Sequence, residues 1–326
     1  MVATAPETYG RWTAGPPLGQ GATGTVRLAH DATGRAVALK VVHAFLARDA
    51  AFRARFARDV ATLAAVHGRH TAALVDADAG VGSVVPWVAM EYVRGPTLHA
   101  RVRGRGDGGG PVGVGGPLGL DELRSLAGAL AWALDTIHGA GLVHRGLKPS
   151  NVLLAEAGPR VVDFGIARVV EAADDTAVGS EGGADALGYA APEQLAQGLS
   201  TRAADVFSLG AVLAFAATGH APFAVGPRPR TVYGEPDLAG APETLLPLLT
   251  ACLAKDPAAR PTPRTVARMV GHPLPGSRRK TLTVATVLLA CASLARRPRI
   301  ASTQHPGKAL WWTMGEDGAT GRTAPR

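Results

Sequence analysis

The chain has 326 residues, of which 47% are hydrophobic, so it can bury a large core and exceeds the usual size of one compact domain. Its only cysteines, Cys252 and Cys291, lie far apart, which argues against a disulfide framework and favours a reducing compartment. The formal charge of +8 is concentrated at one end, since residues from 274 onward carry nine Lys or Arg against two Asp or Glu, or +7. The remainder is close to neutral, so the composition does not indicate nucleic-acid binding.

The first hundred residues are predicted to be rich in β-structure with a single helix. The segments Trp12–Leu28, Ala36–Val42 and Ser83–Val93 have the composition of strands and are separated by glycine turns and polar loops. Between them, Ala50–Val66 repeats apolar residues at spacings of three and four, which predicts a helix with one apolar face. Asp59 falls on that same face, where a carboxylate needs a partner.

Helical patterns dominate the second part of the chain. Residues 103–119 are so rich in glycine that they are predicted to form a flexible surface insertion without a core. Helical spacing then returns from Leu123 to Ile137, with Asp121 as the expected N-cap. The segment Ala203–Ala217 is apolar on nearly every face, which predicts a helix that is buried all round.

A basic tail, residues 273–326, follows these elements and contains a short apolar segment at 281–295. As a helix this segment would span roughly 22 Å at about 1.5 Å per residue, against a hydrocarbon core of about 30 Å. A single membrane pass, a segment lying on the membrane surface through 278–299, and a packed or disordered tail are three open alternatives. Residues 1–10 show no signal peptide, so the main body is expected to be cytoplasmic.

A glycine-rich pattern begins the part of the sequence that indicates chemistry. Gly19, Gly21, Gly24 and Val26 fit G-x-G-x-x-G-x-V between two predicted strands. Glycines allow backbone N–H groups to approach phosphate oxygens without obstruction by side chains. The pattern alone is weak, but it is followed by Val-Ala-Leu-Lys ending at Lys40, which matches the strand whose lysine pairs with the phosphates of a bound nucleotide.

Further motifs follow in a consistent order. Residues 144–151 read His-Arg-Gly-Leu-Lys-Pro-Ser-Asn, close to the catalytic loop H-R-D-x-K-x-x-N of phosphoryl-transfer enzymes. Asp163 begins Asp-Phe-Gly and Glu193 ends Ala-Pro-Glu. Asp205 begins Asp-Val-Phe-Ser-Leu-Gly, and Arg260 lies in Lys-Asp-Pro-Ala-Ala-Arg-Pro. Through these motifs the chain resembles the bacterial eukaryotic-like serine/threonine protein kinases.

The resemblance covers roughly residues 9 to 272 and implies a fold and a ligand. The fold class is α+β, a bilobal protein kinase-like fold in residues 1–272. It has a small β-rich N-lobe at about 9–90, a hinge at 91–94 and a larger helical C-lobe at about 95–272. ATP and Mg²⁺ are the implied cofactors, and a protein is the implied partner or substrate.

Individual residues of the nucleotide site are also implied by the resemblance. Eleven of them would bind ATP, with Met90 as the gatekeeper: Leu18, Gly19, Gly21, Gly24, Val26, Ala38, Lys40, Met90, Glu91, Val93 and Leu153. Asn151 and Asp163 would hold the magnesium ion. Asp59 stands where the family has a glutamate on its first helix, and it would pair with Lys40 although its side chain is one methylene shorter.

Six more residues match structural positions of the family: His144, Arg145, Phe164, Glu193, Asp205 and Arg260. The resemblance implies that Asp205 braces the backbone of the catalytic loop and that Arg260 pairs with Glu193 in a buried bridge. The arginine of the loop can clasp a phosphate on the activation segment in active relatives. The histidine and the phenylalanine, together with Leu63, match an apolar stack that links the lobes, and an ordinary core role is equally compatible.

Two departures from the family pattern affect the phosphate acceptor side. Gly146 replaces the aspartate that accepts the proton of the substrate hydroxyl. Ala186 replaces a threonine that bridges this aspartate and the loop lysine, here Lys148. The sequence therefore predicts a nucleotide-binding pseudokinase with a signalling or scaffolding role. The alternatives are a slow but active kinase acting on itself or a tethered protein, and a degenerate chain that binds no nucleotide.

Overall fold

The chain folds into a β-rich lobe followed by a helical lobe, in agreement with the predicted fold class. The computed structural model describes residues 7–21, 23–80, 84–104, 114–164, 188–223, 234–272 and 274. Ala186, most of the glycine-rich insertion and the apolar segment of the tail lie outside these residues.

The N-terminal lobe is a six-stranded antiparallel sheet in the order β1-β2-β3-β4-β6-β5. Its strands are β1 (Thr8–Tyr9), β2 (Trp12–Gly21), β3 (Gly24–His30), β4 (Ala36–Val42), β5 (Leu74–Asp78) and β6 (Trp87–Glu91). The segment from Trp12 to Leu28 is a hairpin of β2 and β3, which confirms the prediction that the glycine-rich pattern lies between two strands. The short strands β1 and β5 were not predicted from the sequence.

Two helices, α1 (Ala44–Ala47) and α2 (Ala50–Leu63), follow β4. The Asp49 carboxylate accepts hydrogen bonds from the backbone N–H groups of the first turn of α2, at 2.8 and 3.2 Å, so this helix begins with a side-chain cap. The predicted apolar face is buried, with Phe52 and Leu63 at 0% and 1% exposure. The helix ends three residues earlier than predicted.

The helical lobe is built around two long helices, α4 (Leu120–Gly139) and α6 (Arg202–Thr218). Smaller helices surround them: α3 (Leu98–Arg103), α5 (Pro192–Gln197), α7 (Leu246–Cys252) and α8 (Pro263–Met269). Every residue of α6 from Ala204 to Ala217 is buried, as the apolar composition of this segment predicted. Among the described residues, no helix is both long and apolar enough to cross a membrane.

The start of α4 and the segment before it differ from the prediction. Gly119, and not Asp121, is the N-cap, and its N–H donates to the Glu122 carboxylate at 2.9 Å. The glycine-rich insertion was predicted to lack core residues, yet Leu118 is only 7% exposed and its N–H donates to the Ala216 carbonyl at 2.8 Å. This end of the insertion is therefore packed against α6.

A small hairpin of β7 (Val152–Ala155) and β8 (Gly158–Val161) connects the helical lobe to the loop between α2 and β5. The Val161 N–H donates to the His70 carbonyl at 2.8 Å, and His70 Nδ1 donates to the Pro159 carbonyl at 2.8 Å. Burial lowers the pKa of His70, so its ring is mainly neutral at pH 7 and its Nδ1 hydrogen is held by this carbonyl. The two lobes are thus joined beside the cleft as well as through the hinge.

A buried ion pair in the helical lobe joins α5 to the segment before α8. The Arg260 guanidinium donates to both carboxylate oxygens of Glu193 at 2.6 and 2.9 Å, and the arginine side chain is fully buried. The same guanidinium donates to three backbone carbonyls and lies 5.0 Å from the ring of Phe207. This is the bridge that the family resemblance implied.

We expect Glu193→Ala to lower the free energy of unfolding by about 3 to 5 kcal/mol, because it leaves the buried Arg260 charge without its counterion. Urea unfolding followed by circular dichroism measures the change. The matched control is the exposed Glu156→Ala, which should change stability by less than about 0.5 kcal/mol. Equal losses in the two variants would contradict the structural role of the bridge.

Candidate functional site

The buried carboxylate of Asp205, a residue that is 1% exposed, anchors the backbone of the catalytic loop. Its Oδ2 accepts hydrogen bonds from the His144 N–H and from His138 Nε2, both at 2.8 Å. Its Oδ1 accepts from the Arg145 N–H at 2.9 Å. Three donors compensate a carboxylate that would otherwise be costly to bury, so the backbone at the start of the loop has a defined position.

Gly146 is integrated into this loop although it has no side chain. Its N–H donates to His144 Nδ1 at 3.3 Å, and its carbonyl accepts from Asn151 Nδ2 at 2.9 Å. Asn151 is buried at 7% exposure in a short 3₁₀ helix. The loop therefore keeps its hydrogen-bonded shape without an aspartate at this position, and what is missing is the carboxylate itself.

Backbone strain among the described residues is concentrated at the site. Arg145 and Asp163 have φ angles of 66° and 56°, and no other described residue apart from glycines has a positive φ. Such conformations cost roughly 1 to 3 kcal/mol each and persist only where the surroundings fix them. Strained residues of this kind cluster at functional sites.

Lys40 and Asp163, which the sequence assigned to the phosphates and to the metal, form an ion pair in the structure. Lys40 lies on β4, between Val26 of β3 and Val88 of β6, and its side chain is 11% exposed. Asp163 lies two residues after the end of β8, and its side chain is 38% exposed. A lysine from one lobe and a carboxylate from the other therefore meet in the cleft.

The structure gives Lys40 a different partner from the predicted one. Asp59 was expected to pair with Lys40, but these two described residues form no ion pair, and Asp59 Oδ2 lies 4.0 Å from Arg145 Nη1. Aspartate is one methylene shorter than the glutamate of the family, and the longer arginine side chain reaches it from the catalytic loop. Helix α2 is therefore in contact with the catalytic loop through this pair.

The three glycines of the glycine-rich pattern lie in the adjoining ends of β2 and β3 and have different surroundings. A Cβ added at Gly19 or Gly21 would meet nothing within 4 Å, so the space above the hairpin is open. A Cβ at Gly24 would lie 2.2 Å from the Val41 carbonyl oxygen. Gly24 is thus required by close packing of β3 on β4, whereas the other two leave room for a ligand. Ala22, at the turn, lies outside the described residues.

The predicted adenine site is a partly open surface between the lobes. Val26 and Lys40 are paired across β3 and β4, and Ala38 is paired with Met90 across β4 and β6. Because side chains alternate along a strand, these four residues share one face of the sheet. Leu153 of β7, which is half-buried, makes a β-bridge with Thr97 on the other side. Val93 is buried and Leu18 is 43% exposed.

The hinge is tied to the helical lobe by a contact that the sequence did not reveal. The Glu91 carboxylate pairs with Arg160 of β8, and Arg160 Nη2 also donates to the Thr71 carbonyl at 2.9 Å. The Glu91 N–H donates to the Ala73 carbonyl at 2.8 Å. The guanidinium of Arg160 on β8 therefore connects the hinge, through the Glu91 carboxylate, with the loop before β5.

Three residues proposed for the apolar stack are buried, each at 1% exposure: His144, Phe164 and Leu63. The rings of His144 and Phe164 lie 6.2 Å apart at 53°. Phe164 and Leu63 belong to the same hydrophobic cluster, which extends through both lobes. This burial and packing are compatible with the predicted stack and equally with an ordinary core role.

The residues available to a cation are oxygen donors. In the part of the chain that the structure describes, no group of three His, Cys, Asp or Glu side chains is placed to hold a metal. Burial raises the pKa of the Cys252 thiol to about 12, so this thiol stays protonated at neutral pH. Mg²⁺ is commonly bound by one or two side-chain oxygens together with phosphate oxygens. Asn151 and Asp163 fit this pattern, since the Val162 N–H donates to the Asn151 carbonyl at 3.0 Å and brings the two close.

Comparison with known proteins places the chain in a family. Residues 12–274 match the protein kinase domain. The serine/threonine-protein kinases AfsK of Streptomyces coelicolor and Streptomyces griseus are 45% and 47% identical to the chain, over 80% and 75% of its length. These matches cover 31% and 30% of the two proteins, so the chain spans about a third of the length of these relatives.

A solved structure has the same fold. The crystal structure of the Mycobacterium tuberculosis PknI kinase domain superposes with a TM-score of 0.62 at 27% sequence identity. The superposition covers 83% of this chain and 99% of the PknI chain. The two-lobed arrangement described above is thus the arrangement of that kinase domain.

The two kinds of glycine in the β2–β3 loop should respond differently to an added methyl group. We expect Gly24→Ala to lower the free energy of unfolding by about 1 to 3 kcal/mol, because the Cβ overlaps the Val41 carbonyl. Gly21→Ala is the matched control and should cost less than about 0.5 kcal/mol. Thermal unfolding of both variants tests this, and a Gly24→Ala protein as stable as the wild type would contradict the close packing.

Proposed function

Since this chain belongs to the protein kinase family, we propose that it binds Mg-ATP and is impaired in phosphate transfer, so that it acts as a nucleotide-dependent signalling or scaffolding module. The observation that carries the proposal is the catalytic loop. Asp205 and Asn151 hold its backbone in place while Gly146 supplies no base. Binding and base catalysis are separable functions, and only the second requires a carboxylate at this position.

Several features support nucleotide binding. Lys40 and Asp163 meet in the cleft, and the space above Gly19 and Gly21 is open. When bound, the magnesium ion would neutralise the phosphates, and Asn151 and Asp163 are the residues that would hold it. In this arrangement the lysine exchanges a contact with a carboxylate for one with phosphate oxygens, so both residues keep opposite charges nearby.

The size of the defect follows from the chemistry of the missing group. A positioned general base contributes about 10²- to 10⁴-fold to rate. Kinases typically turn over at roughly 1 to 100 per second, so the residual rate is expected to lie between about 1 per second and 1 in several hours. Phosphoryl transfer depends mainly on positioning and on charge neutralisation, so the loss of a base reduces the rate without abolishing it.

A slow but active serine/threonine kinase is the second candidate. Two observations favour it: the AfsK relatives are named as serine/threonine-protein kinases, and the loop around Gly146 keeps its hydrogen bonds. A substrate held close for a long time would be the chain itself or a tethered protein, because a slow enzyme gains most from high effective concentration. The basic tail, with 278–299 as a membrane attachment, is one means of tethering.

Nucleotide binding is tested by thermal stabilisation. We expect saturating Mg-ATP to stabilise the wild-type chain, by about 2.7 kcal/mol at a hundredfold excess over the dissociation constant. Lys40→Met should remove most of the effect, because it deletes the cation that contacts the phosphates. ATP without magnesium should stabilise less. An unchanged melting temperature of the wild type in saturating Mg-ATP would contradict the proposal and favour a chain that binds no nucleotide.

Restoring the base tests the impairment. We expect Gly146→Asp to increase phosphate transfer from labelled ATP, to itself or to a general acceptor, by about 10²- to 10⁴-fold. Asp163→Ala in the same background is the control for contaminating activity, because it removes a residue assigned to magnesium. If the wild type already transfers phosphate at a rate within tenfold of the Gly146→Asp variant, the proposed impairment is wrong and the second candidate, an active kinase, is favoured.

A further inference from the structure

We propose that His43 is a positioning residue of the glycine-rich loop, which holds the loop in the shape that receives the triphosphate without itself touching the nucleotide. The inference rests on the proposed binding of ATP. It concerns a residue that belongs to none of the sequence motifs, since His43 lies between β4 and the short helix α1.

His43 contacts both sides of the turn that connects β2 and β3. Its side-chain Nε2 donates to the Gly21 carbonyl at 2.9 Å, and its backbone N–H donates to the Thr23 carbonyl at 3.1 Å. A carbonyl only accepts, so the Nε2 atom carries a hydrogen in this contact. The two accepting carbonyls lie at the end of β2 and directly before β3, so His43 holds both flanks of the turn.

The loop gains from such support because two of its positions carry no side chain that could hold it. Gly19 and Gly21 have no side chains, and their Cβ directions point into open space. Glycine loses more conformational freedom on ordering than any other residue. A loop that is fixed before the ligand arrives avoids part of this cost at the moment of binding, so the hydrogen bond from His43 favours the bound shape.

The imidazole is itself held in place. Its ring stacks on Phe45 with the centroids 5.7 Å apart and an angle of 16°. Phe45 is 66% exposed, an unusual position for a large apolar side chain. Support of the His43 ring gives this phenylalanine a structural role. Stacking restricts the histidine rotamer and directs Nε2 toward the Gly21 carbonyl.

The contact does not depend on the charge of His43. The neutral ring with hydrogen on Nε2 and the protonated ring both donate from this atom. Removal of the donor, and not a change of charge, is therefore the relevant perturbation. A phenylalanine at this position keeps an aromatic ring for the stack on Phe45 and removes the donor, whereas a glutamine supplies an N–H donor without the ring.

The test compares two ligands that differ only in the triphosphate. We expect His43→Phe to weaken Mg-ATP binding about three- to tenfold, the effect of one hydrogen bond, and to leave adenosine binding within about twofold of wild type. The reason is that the loop covers phosphates and not the base. His43→Gln should restore Mg-ATP affinity to within about twofold. Isothermal titration calorimetry measures the dissociation constants, and His30→Phe, an exposed residue of β3, is the matched control.

Each outcome decides the matter. An Mg-ATP affinity of His43→Phe equal to wild type overturns the inference, as does an equal loss for ATP and adenosine, which indicates a general structural role. Should His43→Phe fail to fold, His43→Ala takes its place in the same comparison. If the wild-type chain binds adenosine but not Mg-ATP, the proposed function is wrong. If the wild type and His43→Phe bind Mg-ATP equally well, only the inference about His43 is wrong.

Discussion

The structure depends on one buried carboxylate, Asp205, which accepts three hydrogen bonds at the base of the catalytic loop. A buried anion is tolerated only when its acceptor capacity is used, so His138 and the backbone of the loop are bound to it as a set. The loop is therefore positioned by residues of α4 and α6 and not by a side chain at position 146. For this reason the glycine at position 146 leaves the architecture intact and removes a single chemical capability.

Local sequence patterns predicted the two-lobed fold, the β2–β3 hairpin and the buried helix α6. These patterns are glycine motifs, strand composition and continuous apolar runs. The site residues were predictable only where a motif carries them, as for Asp163. The partners of individual side chains were predictable where the resemblance implied them, as for Arg260 and Glu193, but not elsewhere. Asp59 contacts Arg145 and not Lys40, and Arg160 contacts the hinge, because such pairings depend on how distant segments approach in three dimensions.

Two further differences have simple physical reasons. The glycine-rich insertion was predicted to contribute no core residue, because periodicity is undetectable in so few apolar side chains. Leu118 is nevertheless buried and anchored by a backbone hydrogen bond to α6. His138 has no motif around it, and its role appears only through its distance of 2.8 Å to Asp205. Sequence patterns indicate which face of an element is buried, whereas the partner of a single polar group is seen only in the three-dimensional structure.

The guanidinium of Arg160 links two places that a nucleotide would occupy at opposite ends. It contacts Glu91, next to the adenine side, and it lies on β8, which ends two residues before Asp163 on the phosphate side. If the hinge moved when the base bound, this contact would couple that movement to the segment that carries Asp163 in the cleft. Nucleotide occupancy would then change the arrangement of the lobes without any covalent step.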